Sequence, residues 1–352
     1  MAIVFADGFD DWSFANYAQE AWSYANGVNS LSFTTGRRAS TNGLVNSTSA
    51  AGGQYAGLSR SLGSSNSTIF AHFAFQCGVR PTVYARTLIS FREATGQHVT
   101  IAMNTSGQLF AARGGAAGTV LGTGSTVIPT ATWYSVEVKV LVSDTVGTVE
   151  VRINGAVELN LSGLDTRNAG ASGVIDTIQL GDIASPGTTS NTWQFYWDDL
   201  VIYNTTGSVC STWTGDIRVD SILPSGAGSS TQFTPSAGSN YQCVDDASAN
   251  TTDYVDSSTA GHIDLYEAAD LAHTPTNIYG VLMTALATKD DAGARSLKLK
   301  MKSSSTTGDS SAMALTNASW ERKTALFETD PNTSAAWTKA NLNAAEIGIE
   351  CV

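Results

Sequence analysis

Val136, Val138, Val140 and Val142 alternate with Glu137 and Lys139, and a little further on Val149, Val151 and Ile153 alternate with Glu150 and Arg152. A period of two sends successive side chains to opposite sides of an extended chain, so this stretch predicts two strands that each bury one face. Asn154-Gly155 supplies the positive φ angles of a tight hairpin, and the return runs through Val157, Leu159 and Leu161. The same signal, short apolar alternation bounded by turn residues, recurs over residues 31–34, 68–76, 87–93, 99–104, 108–112, 176–180 and 194–203. Long helical periods are absent, and residues 12–24 are the one early stretch that reads as a short helix.

Around Thr205-Thr-Gly207 the alternation pauses, and a second set of strands is expected to open at Asp216-Ile-Arg-Val-Asp220. It continues through Tyr254-Val255 and residues 262–266, 277–288 and 296–302, where Leu297, Leu299 and Met301 alternate with Lys298, Lys300 and Lys302. That alternation predicts a half-buried antiparallel strand. Thr338 is placed to cap a short helix before a closing strand over 347–352. Residues 111–125 and 223–239 are rich in small residues and are expected to be exposed turns or arms. The predicted fold class is therefore all-β, with a sandwich over residues 1–207 and a smaller antiparallel β domain over 208–352.

Composition narrows the partners. The 33 glycines, 14% charged and 42% hydrophobic residues among 352 fit short strands joined by turns, in a chain long enough for two independent cores. A net charge of −12 repels phosphate backbones and anionic lipid, which argues against nucleic acid and membrane surfaces as partners. No apolar run reaches the roughly eighteen residues of a membrane span. The opening Met-Ala-Ile-Val-Phe-Ala-Asp-Gly lacks the basic start and apolar centre of a signal peptide, so synthesis and folding in a cytoplasm are expected. Cys77, Cys210, Cys243 and Cys351 share no ligand spacing and are expected to be buried, reduced thiols.

Several short runs, taken in order, resemble the concanavalin A-like, LamG-type jelly roll of tailed-bacteriophage virion proteins. They are Asp7-Gly-Phe-Asp10, Gly36-Arg37 with Gly43, Leu88-Ile-Ser-Phe-Arg92, Gly107-Gln-Leu-Phe110, Trp133-Tyr134, Val151-Arg-Ile-Asn-Gly155 and Phe195-Tyr-Trp-Asp-Asp-Leu-Val201. The resemblance covers residues 1–207. Gly215-Asp-Ile-Arg-Val219, Pro235-Ser-Ala-Gly-Ser-Asn240, Val244-Asp-Asp246 and the run from Trp337 to Gly348 resemble the segment that follows this jelly roll in such proteins. It implies a non-enzymatic structural component of the particle, either a capsid decoration or head fibre or part of the tail. Such a protein is assembled in the host bacterial cytoplasm, contacts other virion proteins and forms homo-oligomers, among which trimers are expected. A receptor- or glycan-binding adhesin of the phage tail is the alternative reading, and a glycoside hydrolase-like enzyme is the second.

Tandem Asp198-Asp199 lies in an otherwise apolar strand, so one of the two is expected to face a buried side, where a carboxylate needs partners. Two arrangements provide them. One is a calcium site at the sandwich rim, to which the resemblance brings Asp7 or Asp10; the other has the carboxylates accepting backbone N–H groups or pairing with Arg37 or Arg92. No other cofactor is implied. His72, His98, His262 and His273 form no HxH, HxxH or HExxH arrangement, and no serine sits in GxSxG. The Glu-x-Asp-x-x-Glu pattern of concanavalin-like glycosidases is absent, so no catalytic residue is assigned. Trp133 and Trp197 read as core, while Trp12, Trp22 and Trp193, beside loops, are the aromatic candidates for stacking on a host glycan.

Overall fold

A computed structural model describes residues 3–10, 22, 24–26, 31–38, 41–48, 56–168, 172–183, 192–247 and 250–352. The chain divides into two units, Ala2–Val219 and Asp220–Val352. Residues 208–219, expected to open the second unit, belong to the first.

In the first unit two antiparallel sheets lie face to face. The first sheet runs Ala156–Leu164, Gly147–Ile153, Trp133–Leu141, Thr68–Val79, Trp193–Tyr203, Asn42–Thr48, Leu31–Thr35, with Ile3–Asp7 added along Trp193–Tyr203. The second runs Thr119–Val127, Gln108–Arg113, Gly96–Met103, Arg86–Glu93, Ile175–Gly181, Gly57–Asn66, Tyr24–Asn26. This is the expected concanavalin A-like jelly roll, all-β among the described residues of this unit. Alternation decides what enters the core. From the first sheet come Phe73, Phe75, Val136, Val138, Val140, Val149 and Val151, and from the second Ile89, Phe91, Val99, Ile101, Ile178 and Leu180, nearly all at 0% exposure. Phe75 stands edge-on to Phe195, with ring centroids 5.2 Å apart, and to Trp197 at 6.1 Å. Asn154 at φ 50° and Gly155 at φ 80° make the hairpin turn read from their sequence.

Residues 111–125, expected to be exposed, are so only in part: 117–120, 123 and 125 are exposed, while the rest is buried or half-buried within two strands and the turn between them. Ala111 and Ala112 are fully buried in Gln108–Arg113, and Gly122 and Gly124 in the next strand lie against Leu161 and Glu158, where a methyl group would clash. Small size is used here for close approach of two strands, a demand that composition does not separate from exposure. The expected helix over 12–24 lies mostly outside the described residues; its last residue, Tyr24, begins the strand Tyr24–Asn26.

The second unit holds a sheet ordered Pro224–Thr231, Ile263–Ala268, Glu346–Cys351, Ser296–Ser303, Thr306–Asp309, and a separate ribbon of Val281–Ala287 with Glu321–Phe327. The first of these strands lies in the stretch expected to be an arm. Leu271, Met301, Phe327, Trp337, Leu342 and Ala345 make one core cluster. Leu297, Leu299 and Met301 turn inward as expected. Lys298 and Lys302 meet Glu350 and Glu346 on the neighbouring strand, while Lys300 is itself buried between Asp309, 2.7 Å away, and Glu350, 2.6 Å away. Those two carboxylates hold the Lys300 pKa above its ordinary value although burial works the other way. Thr338 caps the helix Lys339–Asn343, its hydroxyl accepting from the Asn341 N–H at 3.1 Å. All four cysteines are free and buried.

Truncating the side chain at the centre of the first unit measures this packing. Phe75→Ala is expected to cost about 3–5 kcal/mol of unfolding free energy, read from urea denaturation of that unit; a loss below about 1 kcal/mol would contradict the packing described.

Candidate functional site

The outer face of the first sheet is polar, yet it is buried. On Thr68–Val79, His72 alternates with Ala71 and Phe73 and points away from the core, and Glu137 lies beside it on Trp133–Leu141. On Trp193–Tyr203 the register against Thr68–Val79 slips between Asp198 and Val201, and Asp199 takes φ 53°. This bulge breaks the period of two. Both aspartates are fully buried, and both make their contacts outside the intersheet core, whereas unbroken alternation would have put one of them inside.

Residues 208–219 cross this face as a strap. The Thr214 and Gly215 N–H groups donate to Glu137 Oε1, each at 3.0 Å; the Ile217 N–H donates to His72 Nε2 at 3.2 Å; the Val219 N–H donates to Asp199 Oδ1 at 2.9 Å. The three acceptors stand on three adjacent strands. Trp213 lies edge-on to Phe70, centroids 5.2 Å apart, with the Arg152 guanidinium 4.0 Å above its ring. Arginines close the other side: Arg37 forms a two-point pair with Asp216, and Arg38 one with Asp199, Nη1 to Oδ2 at 2.6 Å. The Arg37 N–H donates to Asp198 Oδ2 at 2.7 Å. Gly36 is required for that approach, because a Cβ there would stand 2.6 Å from Asp198 Oδ2.

Asp198 and Asp199 both accept backbone N–H groups, and Asp199 pairs with Arg38, an arginine the sequence reading did not name, while Arg37, one of the two it named, stands 3.8 Å from Asp199. Asp7 accepts from the Phe9 N–H and the Trp22 indole, at 2.8 and 3.2 Å, and Asp10 from the Asn42 N–H at 2.6 Å. The four calcium candidates therefore spend oxygens on separate protein donors. Among the described residues no group of three or more His, Cys, Asp or Glu side chains is placed to hold a metal ion. Trp22 and Trp193 are each 1% exposed, so neither offers a ring face to a glycan; Trp12 lies outside the described residues. His98 is buried beside Glu93, whose carboxyl the Ser172 and Thr95 hydroxyls hold down, to about 2. His262 and His273 meet Ser257 and Asp220 respectively. Asp216 was expected in the second unit, and nothing in the sequence joins it to Glu137; the N–H groups of the strap at 214, 215, 217 and 219 tie them to one face.

The outer face of the second sheet offers a different arrangement. Register aligns Ser59, Gln179, Ser90 and Thr100 across four strands, and Ser61, Thr177, Arg92 and Gln97 in the next row. The first row is buried, and within it the Ser90 and Thr100 hydroxyls are 2.9 Å apart. In the second, Ser61 is exposed and Thr177, Arg92 and Gln97 are half-buried. Gln179 Oε1 accepts from Arg92 Nη1 at 3.0 Å and from Gln97 Nε2 at 3.5 Å, while Gln179 Nε2 donates to the Gly181 carbonyl at 2.6 Å. The amide is fixed in one orientation. Arg92 Nε is buried and has no hydrogen-bond partner. Burial lowers the Arg92 pKa, with Asp176 pulling the other way. Arg92 is thus far from the role of partner to Asp198-Asp199.

No family model matches the sequence, and no curated protein matches it. Among solved structures the chain is similar to the alginate lyase AlgAT5 of polysaccharide lyase family 7, at 14% identity and TM-score 0.35, over 48% of this chain and 81% of that one. It is similar to the cellulose-induced protein Cip1 at 14% and 0.36, over 49% and 84%, and to a sialidase at 11% and 0.36, over 58% and only 19% of that longer chain. At these identities the likeness is one of fold. The expected non-enzymatic structural protein of a tailed-phage particle is corrected by these matches: these similar structures are an alginate lyase, a cellulose-induced protein and a sialidase.

Burial and the adjacent Asp199 carboxylate push Asp198 up, to about 7, against the Arg37 and Asp199 N–H groups and the Arg38 charge. Its folded-state value lies above the unfolded one, so the protonated form favours the fold, and this contribution fades as pH rises through about 7. Carboxyl-carbon NMR is expected to show one aspartate titrating there, absent from Asp198→Asn; aspartates confined to the ordinary range would contradict the burial described.

Proposed function

We propose that the first unit binds saccharide on the outer face of its second sheet. The observation that carries this reading is the half-buried row of Thr177, Arg92 and Gln97, locked from behind by Gln179. Planar amide and guanidinium groups held in fixed orientation match the paired hydroxyls of a sugar ring. The net charge of −12 opposes a polyanion, which favours a neutral glycan over an acidic one.

Binding, with no bond broken, follows from the chemistry of the two rows. Ser59, Ser61, Ser90, Thr100, Thr177, Gln97 and Gln179 exchange no proton near neutral pH, and Arg92 stays protonated even when burial lowers its pKa. The face supplies orientation and hydrogen bonds, and the Asp176 carboxylate beside it is engaged by the Thr177 hydroxyl at 2.8 Å.

Arg92→Ala is expected to weaken the binding of a neutral oligosaccharide about tenfold or more, measured by isothermal titration calorimetry with hits from a glycan array, at unchanged circular dichroism. Undiminished affinity in that variant would overturn the assignment of this face.

A further inference from the structure

The strap is fastened to the first sheet by side chains that titrate. A strand in a ladder donates its N–H groups to backbone carbonyls, which hold no proton at any ordinary pH; here the N–H groups at 214, 215, 217 and 219 end on a carboxylate, an imidazole and a second carboxylate. His72 sits at the middle of the line. Its Nδ1 lies 3.1 Å from the Asp199 carbonyl oxygen, which only accepts, and its Nε2 lies 3.2 Å from the Ile217 N–H, which only donates. Those two contacts together define a neutral imidazole with the proton on Nδ1. Ser135 Oγ, at 3.1 Å from Nε2, is placed as a further donor to the same nitrogen.

We propose that His72 is a proton-operated latch: when its imidazole gains a proton, the middle of the strap is released from the outer face of the first sheet. An imidazolium has no acceptor, so the Ile217 N–H, now buried, loses its partner outright. The groups that face His72 come from every element packed around it. Asp216 of the strap stands 3.5 Å from Nε2; Asp198 and Asp199 come from the strand Trp193–Tyr203; Glu137 comes from Trp133–Leu141; Arg37 and Arg38 reach in from the loop before Asn42–Thr48. The arginines already occupy Asp216 and Asp199 in two-point pairs, and Asp216 is half in water, where its pull on a new cation is screened. Asp199 and Glu137 also spend oxygens on the strap's own N–H groups. A proton on Nε2 turns that atom into a donor facing Asp216 Oδ1, 3.5 Å away, so the side-chain hold at 216 remains, while the backbone bond at 217 is lost and its N–H regains a partner only from water, where the strap lifts. Lifting at Ile217 loosens the cover over Phe70 and Tyr203, whose rings stack 5.1 Å apart next to Trp213. The sheet itself has no part in the change, because its ladder bonds hold no titrating group.

Amide hydrogen exchange of the full chain, followed by NMR between about pH 8 and about pH 5, the range in which an imidazole changes charge, tests this. The His72 ring resonances recorded on the same samples mark its protonation. The expected result is a fall of about tenfold or more in the Ile217 protection factor as His72 titrates, with the Phe73 amide in the ladder unchanged, and no such step in His72→Gln. Ile217 protection that stays constant while the His72 ring titrates would overturn the latch, as would a His72 that stays neutral over the whole range. Because the wild-type chain provides both readings, the test holds even where His72→Gln fails to fold.

Discussion

Glu137, His72 and Asp199 form a line of acceptors across three adjacent strands, and the fate of both faces of the sandwich depends on what that line holds. A sheet face lined with ionisable groups must meet water or be covered by something that satisfies every one of them. Here the cover is the chain itself, and it fits because Gly215, at φ 72°, lets the successive N–H groups of Thr214 and Gly215 converge on Glu137 before Ile217 and Val219 supply one each to His72 and Asp199. With the first sheet closed in this way, the outer face of the second holds polar side chains in register, and the proposed saccharide site lies there.

The two outer faces differ in kind. On the first sheet, like charges are crowded and offset by arginine: Asp198 and Asp199 are neighbours in a bulge, and Arg37 and Arg38 neutralise what burial would make untenable. On the second sheet a single guanidinium stands among amides and hydroxyls, with the Asp176 carboxylate beside it. The first arrangement holds backbone in place and changes with protons; the second offers hydrogen bonds in a fixed pattern that does not. Recognition of a polyhydroxylated ligand calls for the second kind of surface, since its hydroxyl groups need donors and acceptors set in place before they arrive.

Much of the fold was legible in the sequence because alternation is a local property. Val136 to Val142, Val149 to Ile153 and Leu297 to Met301 declare their faces within a few residues, and Asn154-Gly155 and Thr338 declare a turn and a cap by backbone chemistry alone. Where glycine and alanine replace large residues the same reading falls short: Ala111 and Ala112 are buried, and Gly122 and Gly124 lie close against Leu161 and Glu158, in a stretch that composition renders as wholly exposed. The bulge at Asp198-Asp199 was half legible, since two adjacent acids in an apolar strand announce a buried carboxylate but leave its side undetermined. The strap was not legible, because its partners are distant in sequence: Glu137 and Thr214 are 77 residues apart, His72 and Ile217 are 145. The polar rows of the second sheet were hidden for a related reason. Ser90, Arg92, Gln97 and Gln179 look unremarkable singly and become a surface only once register sets them side by side.

A crystal structure of the chain soaked with a neutral oligosaccharide that it binds in solution tests the central claim most directly, that the outer face of the second sheet is the recognition surface of the first unit. Sugar density is expected across Thr177, Arg92 and Gln97, with hydroxyl oxygens within hydrogen-bond distance of the exposed parts of those side chains. Sugar bound elsewhere on the chain, with that row bare, would contradict it.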